Sequence, residues 1–312
     1  MALGYRTPAE LGQHLRMRIN ALPQRTPILV VEGKSDVQML QRYVSGSVKF
    51  VPARGKDVIL GSLEYLTSAE RDVCTFVIDC DGEVDFEWRG AAEIVISQFR
   101  DLDVDTAMLG DGTKRAVLDY LGPRYDNPAS THRAADQVIR FAALVSARAG
   151  VVLDAARTKQ DLPTKIRDQA SGSKRRVRLA DIPNSNKWIA NFAAPDLVEV
   201  AHNLASVLGW SSLDVAYVLS VIGRGGLKLC RLHQMPSCGD CIVRRFCSGH
   251  DLHAFISDIL SNMLGHPVRD SEVARAIRVG TTMTPGEWHV LQRLAVRGTS
   301  IGVEYVDRSL LN

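Results

Sequence analysis

Two short apolar runs, each ending in acidic residues, constrain the fold of this chain more than any other feature. Ile28-Leu29-Val30-Val31 leads into Glu32 and Gly33, and Phe76-Val77-Ile78 leads into Asp79, Cys80 and Asp81. Runs this short, with no polar alternation, suit strands buried on both faces of a parallel sheet. The surrounding pattern agrees. Leu11, Leu15, Met17, Ile19 and Leu22 recur at roughly helical spacing over residues 8 to 22. After them the sequence predicts a strand at 28–32, a helix at 35–44, a strand at 48–52, a helix at 56–67 and a strand at 73–79. Strands alternating with helices make an α/β layer structure with helices on both faces of a mostly parallel sheet. Such sheets bind ligands beyond the carboxyl ends of their strands, which puts Glu32, Asp79 and Asp81 on one rim.

Beyond Gly90 the pattern changes. Residues 92–99 read as a strand or a short helix, and Asp101-Leu102-Asp103-Val104-Asp105 leads into a helix from Thr106. Residues 130–160 and 187–222 are rich in alanine and leucine and read as helices, so a domain change is expected near 128. The expected division is an α/β domain over 1–128 with its N-terminal helix, and a mainly helical domain over 129–312. A chain of 312 residues with 46% hydrophobic content can bury one large core or two modest ones. No internal repeat or low-complexity tract is visible.

The three acidic residues form the donor set of a hard cation. Magnesium or manganese takes oxygen ligands and is held by a few carboxylates, with water completing the shell. Asp36, Glu83 and Asp85 are second-rank candidates. Gly33 and Gly82 let the backbone turn sharply beside the acids, and Lys34 is placed to contact a phosphate. A metal here would activate water and neutralise charge on a phosphodiester. The plain alternative is that acids follow strands because loops are solvated. A Walker loop is excluded, because Gly33-Lys34-Ser35 would need glycine at 28, where Ile28 stands.

Val30-Val31-Glu32-Gly33-Lys34-Ser35-Asp36, followed about 45 residues later by Val77-Ile78-Asp79-Cys80-Asp81, resembles the TOPRIM domain. That domain is shared by topoisomerases, bacterial primases, recombination mediators and nucleases of the overcoming-lysogenisation-defect type. The resemblance spans about residues 26 to 120. It implies that Glu32 is the general acid or base and that Asp79 and Asp81 bind the metal. Asp103 to Leu109 and Ser248-Gly249-His250-Asp251-Leu252 look like later motifs of one branch. That branch comprises compact anti-phage defence nucleases partnered with ABC-type ATPases (PARIS-system effectors). It implies accessory roles for Asp105, His250 and Asp251, although the branch carries glutamate where this chain has Asp105. Asp251 read by itself could simply cap the following helix, with Leu252, Phe255, Ile256 and Ile259 packing inward.

Four cysteines crowd a short stretch: Cys230, Cys238, Cys241 and Cys247, spaced C-x7-C-x2-C-x5-C. Four thiolates so close in sequence can surround one metal centre. The run from Pro236 to Cys247 resembles the iron-sulfur loop of the endonuclease III family, which implies a [4Fe-4S] cluster; zinc and unmetallated packing cysteines stay open. His233 could replace one thiolate. Cys74 and Cys80 read as packing residues.

The 38 basic residues against 35 acidic give a formal net charge of only +3, so a nucleic-acid surface has to be a local patch. Lys174, Arg175, Arg176 and Arg178, with Arg244 and Arg245, could clamp a phosphate backbone, and Trp188 could stack on a base. A solvated basic loop is the bland reading of the same residues. No apolar stretch approaches a membrane span and the start lacks a signal-peptide core, so the expectation is a cytoplasmic protein with no membrane partner. The apolar tail 303–311 is a candidate homodimer contact.

Together these features lead to a definite expectation. The chain is a magnesium-dependent TOPRIM nuclease that hydrolyses RNA, tRNA included, or DNA. The resemblance implies a toxic effector of an anti-phage system, held in check by or assembled on an ATPase partner; the chain has no nucleotide loop of its own, so any nucleotide sensing is expected to lie elsewhere. The alternative is a non-catalytic nucleic-acid-binding or repair scaffold. A primase-like or topoisomerase-like enzyme ranks lowest, for want of an active-site tyrosine context.

Overall fold

A computed structural model of the chain describes residues 5–23, 26–81, 91–124, 127–158, 162–172, 178–224, 239–281, 283 and 288–306. The chain divides into two compact units. The first takes in 1–80, 85–102 and 283–312, and the second 81–84 and 103–282. This division falls elsewhere than the expected change near 128, because the C-terminal segment returns to the first unit and the helical part begins just after 102.

The first unit is built on a four-stranded, all-parallel sheet, as the buried apolar runs predict. Its strands are β1 (Ile28–Val31), β2 (Lys49–Pro52), β3 (Cys74–Ile78) and β4 (Ile94–Ile96), in the order β2-β1-β3-β4. Every residue of β1 and β3 is buried, the mark of central strands covered on both faces. Residues 92–99, open to two readings, supply β4, which joins β3 through Phe76↔Ile94 and Ile78↔Ile96.

Helix α1 (Pro8–Ala21) is started by chemistry legible in the sequence. The Thr7 hydroxyl accepts the Glu10 N–H at 3.2 Å, the Glu10 carboxylate accepts the Thr7 N–H at 3.3 Å, and Pro8 occupies the first turn. Leu11 and Leu15 are fully buried in the core with Ile28, Val30, Phe76 and Ile78. Helix α2 (Lys34–Leu40) is shorter than the predicted 35–44. The chain leaves the helix because Val44 bridges Val306 in antiparallel fashion, and the Ser45 N–H donates to the Tyr305 carbonyl at 2.9 Å. Helix α3 (Lys56–Ser62) tightens into a 3-10 turn, Leu63–Tyr65, before the short α4 (Ser68–Asp72).

The C-terminal helix, His289–Ile301, packs on β3 and β4. Arg297 is only 7% exposed, and its guanidinium donates to the carbonyls of Arg71 and Asp72, both at 3.2 Å. Tyr305 and Val306 are buried, with the Tyr305 hydroxyl 3.4 Å from the Ile28 carbonyl. This corrects the expected dimer contact at those two residues, which are spent inside the unit; residues 307–312 lie outside the described part.

The second unit is helical among its described residues: α5 (Leu102–Leu109), α6 (Gly112–Leu121), α7 (Pro128–Thr158), α8 (Thr164–Gly172), α9 (Ser185–Asn191), α10 (Leu197–Leu208), α11 (Ser212–Arg224), α12 (Gly239–Phe246), α13 (Gly249–Leu264) and α14 (Asp270–Gly280). Its spine is the 31-residue α7, on which α6, α8, α10, α11, α12 and α13 pack. Ala135, Val138, Ala142, Val145, Ala149, Val152 and Ala156 recur every three or four residues and are all buried. Small side chains along this stripe let neighbouring helices come close. At Gly150 the approach reaches its limit: a Cβ there would lie 2.2 Å from the Phe246 carbonyl oxygen.

That contact gives a test of the packing. Gly150→Ala should cost about 1–3 kcal/mol in denaturant unfolding, the usual penalty for overfilling a packed interface. Gly223→Ala, at a helical position where an added Cβ meets nothing within 4 Å, should be neutral or stabilising by up to about 1 kcal/mol.

Candidate metal and carboxylate site

The pairing of β1 with β3 places the site. Val31 is in register with Val77, so Glu32 and Asp79 leave the sheet at the same rim. The Asp79 N–H donates to Glu32 Oε1 at 2.7 Å, tying the end of one strand to the carboxylate of the other. Asp79 Oδ1 in turn accepts the Leu102 N–H at 3.1 Å. Asp36, in the first turn of α2, accepts the Gly33 N–H at 2.8 Å and the Ser35 hydroxyl at 3.2 Å, which fixes the turn after Glu32.

The electrostatics of this rim are lopsided. Burial, and then the negative charges of Asp101, Glu32 and Asp36, push the Asp79 carboxyl up to about 10, with the Leu102 hydrogen bond pulling weakly the other way. Asp101 is the residue that sequence reasoning missed. It stands just after the fourth strand, and only the strand order, β4 beside β3, brings its charge to Asp79. The acidic tract 101–105 was the available signal.

Lys34 is exposed at the start of α2. Asp81 is exposed and adopts a left-handed backbone, φ 50°, in the turn after Cys80. Glu83 and Asp85 lie outside the described residues. Among the described residues, no three histidine, cysteine, aspartate or glutamate side chains stand close enough as placed to enclose a metal ion. The donors at the rim nonetheless fit a hard divalent cation. They are carboxylate oxygens, the hard donors such an ion prefers, and Asp79 is partly desolvated among the charges of Asp101, Glu32 and Asp36.

In the second unit the two later motifs meet. Asp103 pairs with Arg278 through two hydrogen bonds, at 3.0 and 2.8 Å. Burial opposes its charge, but the Arg278 hydrogen bonds and the charges of His253 and His250 outweigh that and hold its pKa below the ordinary carboxylate value. Asp105 is fully buried. His250 is exposed and Asp251 half-buried in the first turn of α13, whose Leu252, Phe255, Ile256 and Ile259 are buried as the helical spacing predicts.

The basic residues separate. Arg178 forks onto Asp258, with Nε 3.2 Å from each carboxylate oxygen and Nη2 on Oδ1, and Asp258 is itself 7% exposed. An arginine held this way joins two segments of the second unit. Trp188 is also committed elsewhere: it is buried and its indole N–H donates to Glu199 at 2.7 Å, so it does not stack on a base. Arg244 is exposed and Arg245 half-buried, and Lys174, Arg175 and Arg176 lie outside the described residues. Of the four clustered cysteines, Cys230 and Cys238 also lie outside, as does the Cys241 side chain. Cys247 is buried, its sulfur 3.6 Å from the Ser146 hydroxyl on α7. Cys74 and Cys80 are buried in the first unit, as expected of packing residues.

Comparison with known proteins finds no family model, no curated protein and no solved structure that matches this chain.

The raised Asp79 pKa has a thermodynamic consequence with a definite sign. The folded chain holds a proton that the unfolded chain, with an aspartate pKa of about 3.9, releases. Its stabilising contribution is therefore complete below about pH 3.9 and declines as pH rises toward the folded value near 10. In EDTA, the melting temperature of the wild type should fall between about pH 6 and about pH 9. Asp79→Asn should flatten that slope and melt higher at the alkaline end, by about 2–4 °C for each kcal/mol recovered. Magnesium should raise the melting temperature of the wild type and not of the variant.

Proposed function

We propose that the chain is a metal-dependent phosphodiesterase of TOPRIM type, cutting RNA or DNA, with Glu32 and Asp79 at its centre. The observation that carries this reading is the carboxylate-rich rim, where Glu32 accepts the Asp79 N–H and Asp79 sits among the charges of Asp101 and Asp36. Such a crowd costs free energy in isolation and becomes favourable with a divalent cation. A bound magnesium or manganese ion would supply charge neutralisation on the phosphodiester and a more acidic water. Glu32 and Asp79 would hold it; Asp81 is included on the sequence motif alone. Glu32, oriented by the Asp79 N–H, is the group to take or return the proton of the attacking water or the leaving oxygen. Lys34, exposed beside it in the chain, would contact a phosphate oxygen.

Two further parts of the reading rest on the sequence. The four cysteines would hold a [4Fe-4S] cluster or zinc with a structural role, and Cys247, the one whose side chain is described, is anchored against the long helix α7. The resemblance to defence nucleases suggests a toxic effector released or assembled by an ABC-type ATPase partner.

The test is expression with such an ATPase under triggering conditions, comparing wild type with Glu32→Ala and Asp79→Ala. Toxicity and cleavage of tRNA, other RNA or DNA should drop by at least about 100-fold in both variants, the scale of a lost acid–base group. Equal behaviour of all three proteins would reject a nuclease in favour of a scaffold. For the cysteines, anaerobic purification should yield brown protein with four iron atoms per chain if a cluster is present. Colourless protein with one equivalent of zinc would assign zinc instead.

A further inference from the structure

A cavity of about 460 Å³ opens in the first unit where the edge strand β4 meets the first turns of the C-terminal helix. Its volume is within the range of small-ligand sites. Ile94 and Ile96 give it an apolar side, and the rest of its lining is polar. Gln98 follows the strand, while His289, Gln292 and Arg293 come from the helix. Two of these side chains are basic, and no carboxylate is among the described residues that line the cavity. Among the described residues neither His289 nor Arg293 has an ion-pair partner. Burial, and then the Arg293 charge, lower the His289 pKa, the opposite of what a nearby carboxylate would do.

The cavity is joined to the carboxylate rim by direct contacts. Ser97, part of its wall, donates its N–H to the Ile78 carbonyl at 3.0 Å and accepts the Cys80 N–H on its hydroxyl at 2.8 Å. Asp79 is the residue between those two. One strand spacing, about 4.8 Å, therefore separates the backbone of the cavity wall from the backbone that carries Asp79.

We propose that this cavity is a nucleotide subsite, taking a phosphate against Arg293 and His289 and a base edge against the carboxamides of Gln98 and Gln292. The assignment of its occupant rests on the nuclease reading above: it is the nucleotide adjoining the one held at Glu32 and Asp79. Arginine supplies a forked, permanently charged donor set for phosphate, and a carboxamide offers both a donor and an acceptor to a base. Ile94 and Ile96 provide an apolar surface for the ring.

The experiment is a binding titration of the full chain in EDTA, so that neither metal nor cleavage enters the readout. The probes are adenosine monophosphate, a short 5′-phosphorylated oligoadenylate, and unphosphorylated adenosine. A phosphorylated probe should bind at least about tenfold more tightly than adenosine, and Arg293→Ala should remove about tenfold of that affinity. Gln292→Glu, at an exposed position, should weaken phosphate binding comparably. Binding of the oligonucleotide but not the mononucleotide identifies a nucleic-acid strand as the source, and equal binding of both identifies a free nucleotide. Unchanged affinity in both variants, or no binding of any probe, overturns the subsite. A protein that binds through Arg293 but cleaves nothing would lose the nuclease reading and keep the subsite; one that cleaves but binds normally in the variants would do the reverse.

Discussion

The first unit depends on the parallel pairing of β1 with β3. Both strands are buried along their whole length, so their backbone groups have no water to fall back on and have to satisfy each other. The register that results, Val31 against Val77, fixes where each strand ends. Glu32 and Asp79 face the same rim for that reason alone. Shifting either strand by one residue would exchange the side chains packed on its two faces and separate the two acids.

Burial and like charge then act together at that rim. Asp79 is partly removed from water, next to three other carboxylates, while the Leu102 N–H favours its charged form. A structural aspartate is usually placed the other way, against a guanidinium. Asp103 with Arg278 and Asp258 with Arg178 show that arrangement in the second unit. Strongly shifted carboxyls of the Asp79 kind are enriched at sites where a proton or a cation is exchanged. The two arginine pairs of the second unit and the cluster of carboxylates around Asp79 are thus different electrostatic arrangements within one chain.

The helical unit follows a different rule. Its long helix α7 presents alanine and valine along one stripe, and close approach replaces large side chains as the source of packing, as the Gly150 contact with Phe246 shows. Helices brought in this close bring distant sequence together. The tract around Asp103 and the segment around His250 are far apart in the chain, yet His250 and His253 act on the Asp103 charge.

Much of this was legible in the chain. Apolar runs without alternation specify central parallel strands, and so the rim, Glu32 and Asp79; Thr7, Pro8 and Glu10 specify the start of α1; the three-and-four spacing specifies the inward faces of α7 and α13. These are local patterns, and local physics writes them. What the sequence left open was decided by partners remote in the chain. Within residues 92–99 only 94–96 form a strand, paired with β3, and that pairing is what carries the charge of Asp101 to Asp79. Arg178 is paired with Asp258, 80 positions away, and Trp188 with Glu199 on another helix. Helix α2 stops early because residues 305 and 306 come back to pair with 44 and 45. The sequence by itself determined which residues are apolar, acidic or basic and at what period. Only the tertiary structure decided which charges are neutralised within the chain, because that depends on distances between side chains that no spacing along the chain specifies.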